Sequence, residues 1–184
     1  MKKTLRYYQS DAVKALMAAL KDKDAIPYAD LCTGFGKSLV AAHITNIGLN
    51  NGRRILQIVP KRELVEQNYK EAVGYVDEPN KIGICCAALN KREVHKQAII
   101  VTPGSFKASM FKAGTIDLII IDEAHKVGID EQGETRKIIR YLKTKNPDMR
   151  IIGMTGSPYR IDQGMLHHQV PVSYTHLTLP TILL

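Results

Sequence analysis

The chain has 184 residues, a length that suits one domain with a sizeable core. Its 26 Lys and Arg against 18 Asp and Glu give a formal charge of +8, which leaves room for a polyanionic partner. Three cysteines without metal-ligand spacing, and no apolar run of membrane-spanning length, argue against a disulfide scaffold, a zinc module and a membrane span; they predict a soluble protein of the reducing cytoplasm.

In chain order, Ala12, Val13, Leu16, Met17 and Leu20 recur at helical spacing and predict an opening helix. Asp11 and Lys14 interrupt any signal-peptide core. Ile26–Leu31 reads as a strand and Ser38–Leu49 as a helix, and the turn between them is Cys32-Thr33-Gly34-Phe35-Gly36-Lys37. Two glycines flanking one residue let backbone N–H groups turn inward around a polyphosphate. Lys37 supplies a cation for the outer phosphates, and the Ser38 hydroxyl can ligate Mg²⁺ at the start of a helix whose dipole favours anions. The strict loop pattern has Gly where this chain has Leu31; the strand before and the helix after carry the assignment.

Ile55–Val59 is a predicted strand and Glu63–Val76 a helix. Ile82–Ala87 and Ala98–Thr102 are further strands, with Cys85 and Cys86 as small apolar strand residues. Leu118-Ile119-Ile120-Ile121 is a continuous β-branched run, the pattern of a strand buried on both faces of a parallel sheet. Asp122 and Glu123 follow at its carboxyl end, where open α/β sheets bind ligands. Asp122 suits Mg²⁺, which takes oxygen ligands and keeps waters, and Glu123 suits the orientation or deprotonation of a water attacking the γ-phosphate. Asp130 is a candidate cap for a helix with core residues Ile138, Ile139 and Leu142, and Ile151–Thr155 is a last strand. Alternation of this kind predicts an α/β fold: a parallel sheet with helices on both faces, three layers in all. Basic pairs occur at Arg53-Arg54, Lys61-Arg62, Lys91-Arg92 and Arg136-Lys137.

With the loop and the Asp122-Glu123-Ala124-His125 tetrad, the chain from about Leu5 to Arg160 resembles the first lobe of superfamily-two helicases, the DEAD/DEAH-box class and its restriction-type relatives. The resemblance implies a RecA-like phosphate-loop NTPase lobe over residues 1–170, with ATP and Mg²⁺ as cofactors. Leu5-Arg6-Tyr7-Tyr8-Gln9 is similar to the element that reads adenine, with Gln9 on the base and Arg6 assisting; Thr33, Gly34, Phe35, Gly36, Lys37 and Ser38 would hold the phosphates. Val59-Pro60-Lys61-Arg62-Glu63-Leu64 and Val101-Thr102-Pro103-Gly104-Ser105 resemble two motifs that grip a nucleic-acid backbone, which implies contacts from Pro60, Lys61, Arg62, Thr102 and Ser105. Met154-Thr155-Gly156-Ser157-Pro158 resembles the motif that couples hydrolysis to that grip, through Thr155, Ser157 and the linking His125. Family members commonly carry Ala and Thr where this chain has Gly156 and Ser157. Tyr159-Arg160 resembles the continuation in duplex-tracking members and favours DNA over RNA.

Such motors hydrolyse at a cleft between two lobes, so the resemblance implies a second RecA-like lobe, and few residues follow Arg160 to form one. From Ile161 to Leu184 there is no Lys or Arg. Val172-Ser173-Tyr174-Thr175-His176-Leu177-Thr178-Leu179-Pro180-Thr181 matches, codon for codon, a translated transposon-end sequencing adapter, and residues 171–184 are accordingly expected to be a non-native tail. The expected function is that of an ATP-dependent helicase or DNA translocase. The alternatives are the motor subunit of a restriction enzyme, a phosphate-loop switch or kinase, and a non-catalytic binding module.

Overall fold

The computed structural model describes residues 3–32, 34–108, 115–124 and 133–156, together with three short backbone strands beyond them. The elements lie at or near the predicted places, with one short strand, Lys91–Arg92, that was not predicted. They are α1 (Tyr7–Ala19), β1 (Tyr28–Asp30), α2 (Lys37–Asn50), β2 (Ile55–Ile58), α3 (Arg62–Tyr75), β3 (Ile82–Cys86), β4 (Lys91–Arg92), β5 (Ala98–Val101), β6 (Leu118–Asp122), α4 (Glu134–Lys145) and β7 (Arg150–Thr155). Tyr159–Arg160 (β8) and Gly164–Met165 (β9) pair with each other, and His176–Leu177 (β10) lies parallel to β1.

Among the described residues the main sheet runs β10-β1-β7-β6-β2-β5-β3-β4, parallel throughout except for β4, which turns back on β3. The two-residue side-chain period divides its residues between two cores. Ile55, Ile82, Ile84, Ala98, Ile100, Leu118 and Ile120 pack with α1, α2 and α3, whereas Leu56, Ile58, Ile99, Val101, Ile119 and Ile121 pack with Ile138 and Leu142 of α4. Both faces are therefore covered, and this is why β6 reads as an unbroken apolar run instead of an alternating one.

Two boundaries differ from expectation. β1 starts at Tyr28 and not Ile26, because Pro27 has no N–H to donate; its carbonyl still accepts from Gly153 N–H at 3.0 Å. α4 is preceded by Gly133 as its N-terminal flanking residue, and Asp130, the expected cap, lies outside the described residues. The tail contributes one edge strand at His176–Leu177, consistent with the strand propensity of a Thr/Leu-rich segment.

Strand order decides where the ends meet. β7 inserts between β1 and β6, and α2 and α4 cross on opposite faces, so the loop after β1 and the carboxylates after β6 flank the end of β7. This is the crevice at which α/β sheets hold ligands.

Candidate nucleotide site

The phosphate loop is built from two left-handed glycines. Gly34 has φ +85° and Gly36 has φ +86°, a region costly for residues with a Cβ. Gly36 is the N-terminal flanking residue of α2, and its carbonyl accepts from Leu39 N–H at 3.0 Å and Val40 N–H at 3.2 Å. Lys37 and Ser38 thereby open the helix, where free N–H groups favour an anion. Thr33 lies outside the described residues.

The loop is braced from α1. Gln9 is 4% exposed; its Oε1 accepts from Arg6 N–H at 2.9 Å and its Nε2 donates to the Phe35 carbonyl at 2.7 Å. The Tyr8 ring packs on Phe35 with centroids 4.8 Å apart, and Arg6 Nη1 donates to the Tyr8 hydroxyl at 2.9 Å. Arg6, Tyr8, Gln9, Gly34, Phe35 and Gly36 line a cavity of about 330 Å³, within the range of small-ligand pockets. Gln9 thus ties the opening helix to the loop, a role its place in the sequence does not reveal.

A Cβ on Gly36 would lie 2.5 Å from Gln9 Nε2, whereas one on Gly34 would meet nothing within 4 Å. Gly36→Ala is therefore expected to lose about 1–2 kcal/mol of stability from the left-handed backbone alone, plus the Gln9–Phe35 brace. Gly34→Ala should suffer only the backbone cost. Urea unfolding of the two variants checks this; equal losses would show that the Gln9 contact contributes nothing.

Across the crevice, Lys37 Nζ lies 3.6 Å from Glu123 Oε1, with both side chains about four-fifths buried. Glu123 holds φ +51°, a left-handed conformation uncommon outside glycine and a form of strain that clusters at functional sites. Asp122 is 9% exposed: its Oδ2 accepts from Asn68 Nδ2 at 3.2 Å and its Oδ1 from Glu123 N–H at 3.0 Å. Burial pushes the Asp122 carboxyl above its usual range; the Asn68 hydrogen bond opposes that shift and the neighbouring Glu123 charge adds to it. Asn68 was not anticipated as a site residue. The signal was present, since Asn68 interrupts the buried stripe Val65, Ala72 and Tyr75 of α3, where an unexplained polar residue needs a partner.

Thr155, fully buried, ends β7 between these halves, and its carbonyl accepts from Leu31 N–H at 2.7 Å. His125 and Ser157, the other coupling candidates, lie outside the described residues. Pro60, Lys61 and Arg62 follow β2 and Thr102 to Ser105 follow β5, so both backbone-grip motifs sit at the same end of the sheet as the phosphate loop. Lys61 and Arg62 are exposed. The Ser105 hydroxyl is turned inward: it accepts from Ala87 N–H at 2.8 Å and lies 2.7 Å from Thr102 Oγ1, so in this state it shapes the loop.

Among the described residues no group of three or more His, Cys, Asp or Glu could hold a metal by itself. Ser38 and Asp122 fit Mg²⁺ as an oxygen donor set completed by phosphates and water, and a cation would offset the cost of burying the Asp122 charge. No described helix is long and apolar enough to cross a membrane.

Residues 2–160 match the family described as Type III restriction enzyme, res subunit. The chain belongs to this family. It is 27% identical over 164 residues to the ATP-dependent DNA helicase Hel308 of Methanococcus vannielii, covering 80% of this chain and 22% of that protein. It therefore spans about a fifth of that curated relative. In fold it is similar to the Hef helicase domain of Pyrococcus furiosus, with a TM-score of 0.69 and 22% identity over 93% of this chain and 38% of that one. It is likewise similar to the UvsW helicase of bacteriophage T4, with a TM-score of 0.66 and 20% identity over 95% of this chain and 61% of that one.

Proposed function

We propose that the chain is the N-terminal, ATP-binding lobe of an ATP-dependent helicase or DNA translocase that works with a second RecA-like lobe. The observation that carries this reading is the apposition of Lys37 and Glu123 at 3.6 Å beside a buried, Asn68-held Asp122. In this reading the cavity at Arg6 and Gln9 takes the adenine. The loop N–H groups and Lys37 take the phosphates, and Glu123 orients and accepts a proton from the attacking water. Ser38 and Asp122 would hold Mg²⁺, which would supply neutralisation of charge developing on the phosphates. Thr155, at the end of the strand between the two halves, is suited to pass the state of the γ-phosphate to the backbone-grip loops.

Nucleic acid would lie over the carboxyl ends of β2 and β5. The groups there are charges, hydroxyls and loop N–H groups, which hold a backbone and do not read bases. Binding is expected to weaken steeply with salt, by about 0.9 log unit in affinity per log unit of salt for each phosphate neutralised on duplex DNA, and to vary little with sequence. Titrating unrelated duplexes at several ionic strengths tests this; a strong preference for one sequence with a flat salt response would sink it. Stimulation of ATP hydrolysis by DNA separates a motor from a phosphate-loop switch or kinase. A restriction-enzyme motor subunit is the second reading, supported by the family's own description, and a nuclease domain in the longer polypeptide would distinguish it.

A further inference from the structure

We propose that the hairpin carrying Lys91 and Arg92 is a third phosphate-gripping element, extending the DNA track to the outer edge of the sheet. This rests on the reading that the carboxyl end of the sheet holds nucleic acid. The placement follows from register: Ile58 of β2 pairs with Val101 of β5, Val101 with Cys85 of β3, and Cys85 with Arg92 of β4. Arg92 is therefore three strand spacings from the end of β2, roughly 14–15 Å, or about four nucleotides of one B-DNA strand. Lys91 pairs with Cys86, the last residue of β3, one step closer to the Thr102–Ser105 loop.

The hairpin is joined to that loop by hydrogen bonds. Asn90 takes the left-handed turn position at φ +53°, and its N–H donates to the Ala87 carbonyl at 2.9 Å. The Ala87 N–H in turn donates to Ser105 Oγ at 2.8 Å. Lys91 and Arg92, both exposed, point to opposite faces as successive strand residues must, and so bracket the edge. Lys91 Nζ lies 5.5 Å from the centroid of Tyr69, on the helix that opens at Arg62.

Some basic residues of the chain pair with carboxylates and others, Lys143 and Lys145 among them, do not among the described residues. Lys3 pairs with Glu71, Lys23 with Asp148, Arg53 with Asp117 and Lys81 with Glu78. Among the described residues no carboxylate pairs with Lys61, Arg62, Lys91 or Arg92. Glu93, next to the hairpin in sequence, is turned to the backbone: its Oε2 accepts from Ile84 N–H at 3.0 Å. Exposed cations without a carboxylate partner on a sheet edge, in line with two backbone-grip loops, fit a polyphosphate backbone. The bland role for charged edge residues is to block pairing with another sheet.

The test is a fluorescence anisotropy titration of a labelled mixed-sequence duplex DNA against the full chain, between about 50 and 200 mM salt. The double variant Lys91→Ala/Arg92→Ala is expected to shorten the salt slope by about 2 units (0.9 for each of two cations). Lys91→Gln/Arg92→Gln, which keeps side-chain bulk, should shorten it equally. Lys143→Ala/Lys145→Ala removes the same charge at the far end of α4 and should leave the slope within about half a unit of the parent. An unchanged slope in the hairpin variants, with or without new self-association, overturns the proposal in favour of edge protection. An equal change in both pairs overturns it in favour of net charge. If the parent chain binds no duplex, the reading of the sheet end as a nucleic-acid track fails first, which is a separate result.

Discussion

Glu123→Gln is expected to slow ATP hydrolysis by about 10²–10⁴-fold, the usual worth of a positioned general base, while nucleotide affinity stays at or above that of the parent. The amide keeps the shape of the carboxylate but cannot take a proton from water. It also removes the charge that holds Lys37 at 3.6 Å, freeing the ammonium for phosphate. Lys37→Ala should instead lose binding itself, because it removes the cation that would meet the outer phosphates. Nucleotide affinity and single-turnover hydrolysis, measured on a chain that carries the second lobe, separate the two. Normal turnover by Glu123→Gln would show that the proton goes elsewhere.

Asp122→Asn is expected to do opposite things to stability and to activity. Burial raises the Asp122 pKa in the folded chain, so the folded state binds the proton more tightly than the unfolded state does. The cost of the ionised carboxylate is absent below the unfolded pKa of about 3.9. It grows as pH rises from there through the raised folded value, then stays constant. An Asn at this position accepts the Asn68 hydrogen bond without a charge, so the variant should unfold at a higher temperature than the parent above that window and at a similar temperature below it. Hydrolysis should fall by at least roughly 100-fold, since even outer partners of a metal ligand are worth 10–100-fold in metal affinity. Thermal unfolding across pH 4 to 8, roughly the span over which a carboxylate raised from its usual value titrates, checks the stability half. A constant difference across the range would mean that Asp122 does not titrate abnormally. This trade, stability given up at a charged site that chemistry requires, is common in enzymes.

The parts of this protein legible in its sequence are those set by local chain chemistry. Gly34 and Gly36 announce a turn that needs left-handed backbone, and both adopt it. The unbroken run from Leu118 to Ile121 announces a strand covered on both faces, and every residue of it is buried. Asp122 and Glu123 follow that strand, so their position at the carboxyl end of the sheet was readable before any fold was known. A resemblance carried by short motifs supplied the remainder of the site, including Gln9, whose local surroundings alone would pass for an ordinary helix start.

What the sequence could not show is which distant groups meet. Lys37 and Glu123 are brought together by a strand order in which β7 inserts between β1 and β6, and that order depends on how crossovers pack over the whole sheet. Asn68 reaches Asp122 from another helix, and Ser105 turns its hydroxyl inward to Ala87 where its motif suggested an outward contact. The basic pairs divide in the same way. Arg53 pairs with Asp117 and the Arg54 guanidinium donates to the Val94 carbonyl, whereas Lys91 and Arg92 stand without a carboxylate among the described residues. Four basic residues look alike along a chain because charge is a property of the residue. Whether that charge is spent internally or left for a partner depends on which acid tertiary packing brings within about 4 Å of it, and only the folded sheet decides that.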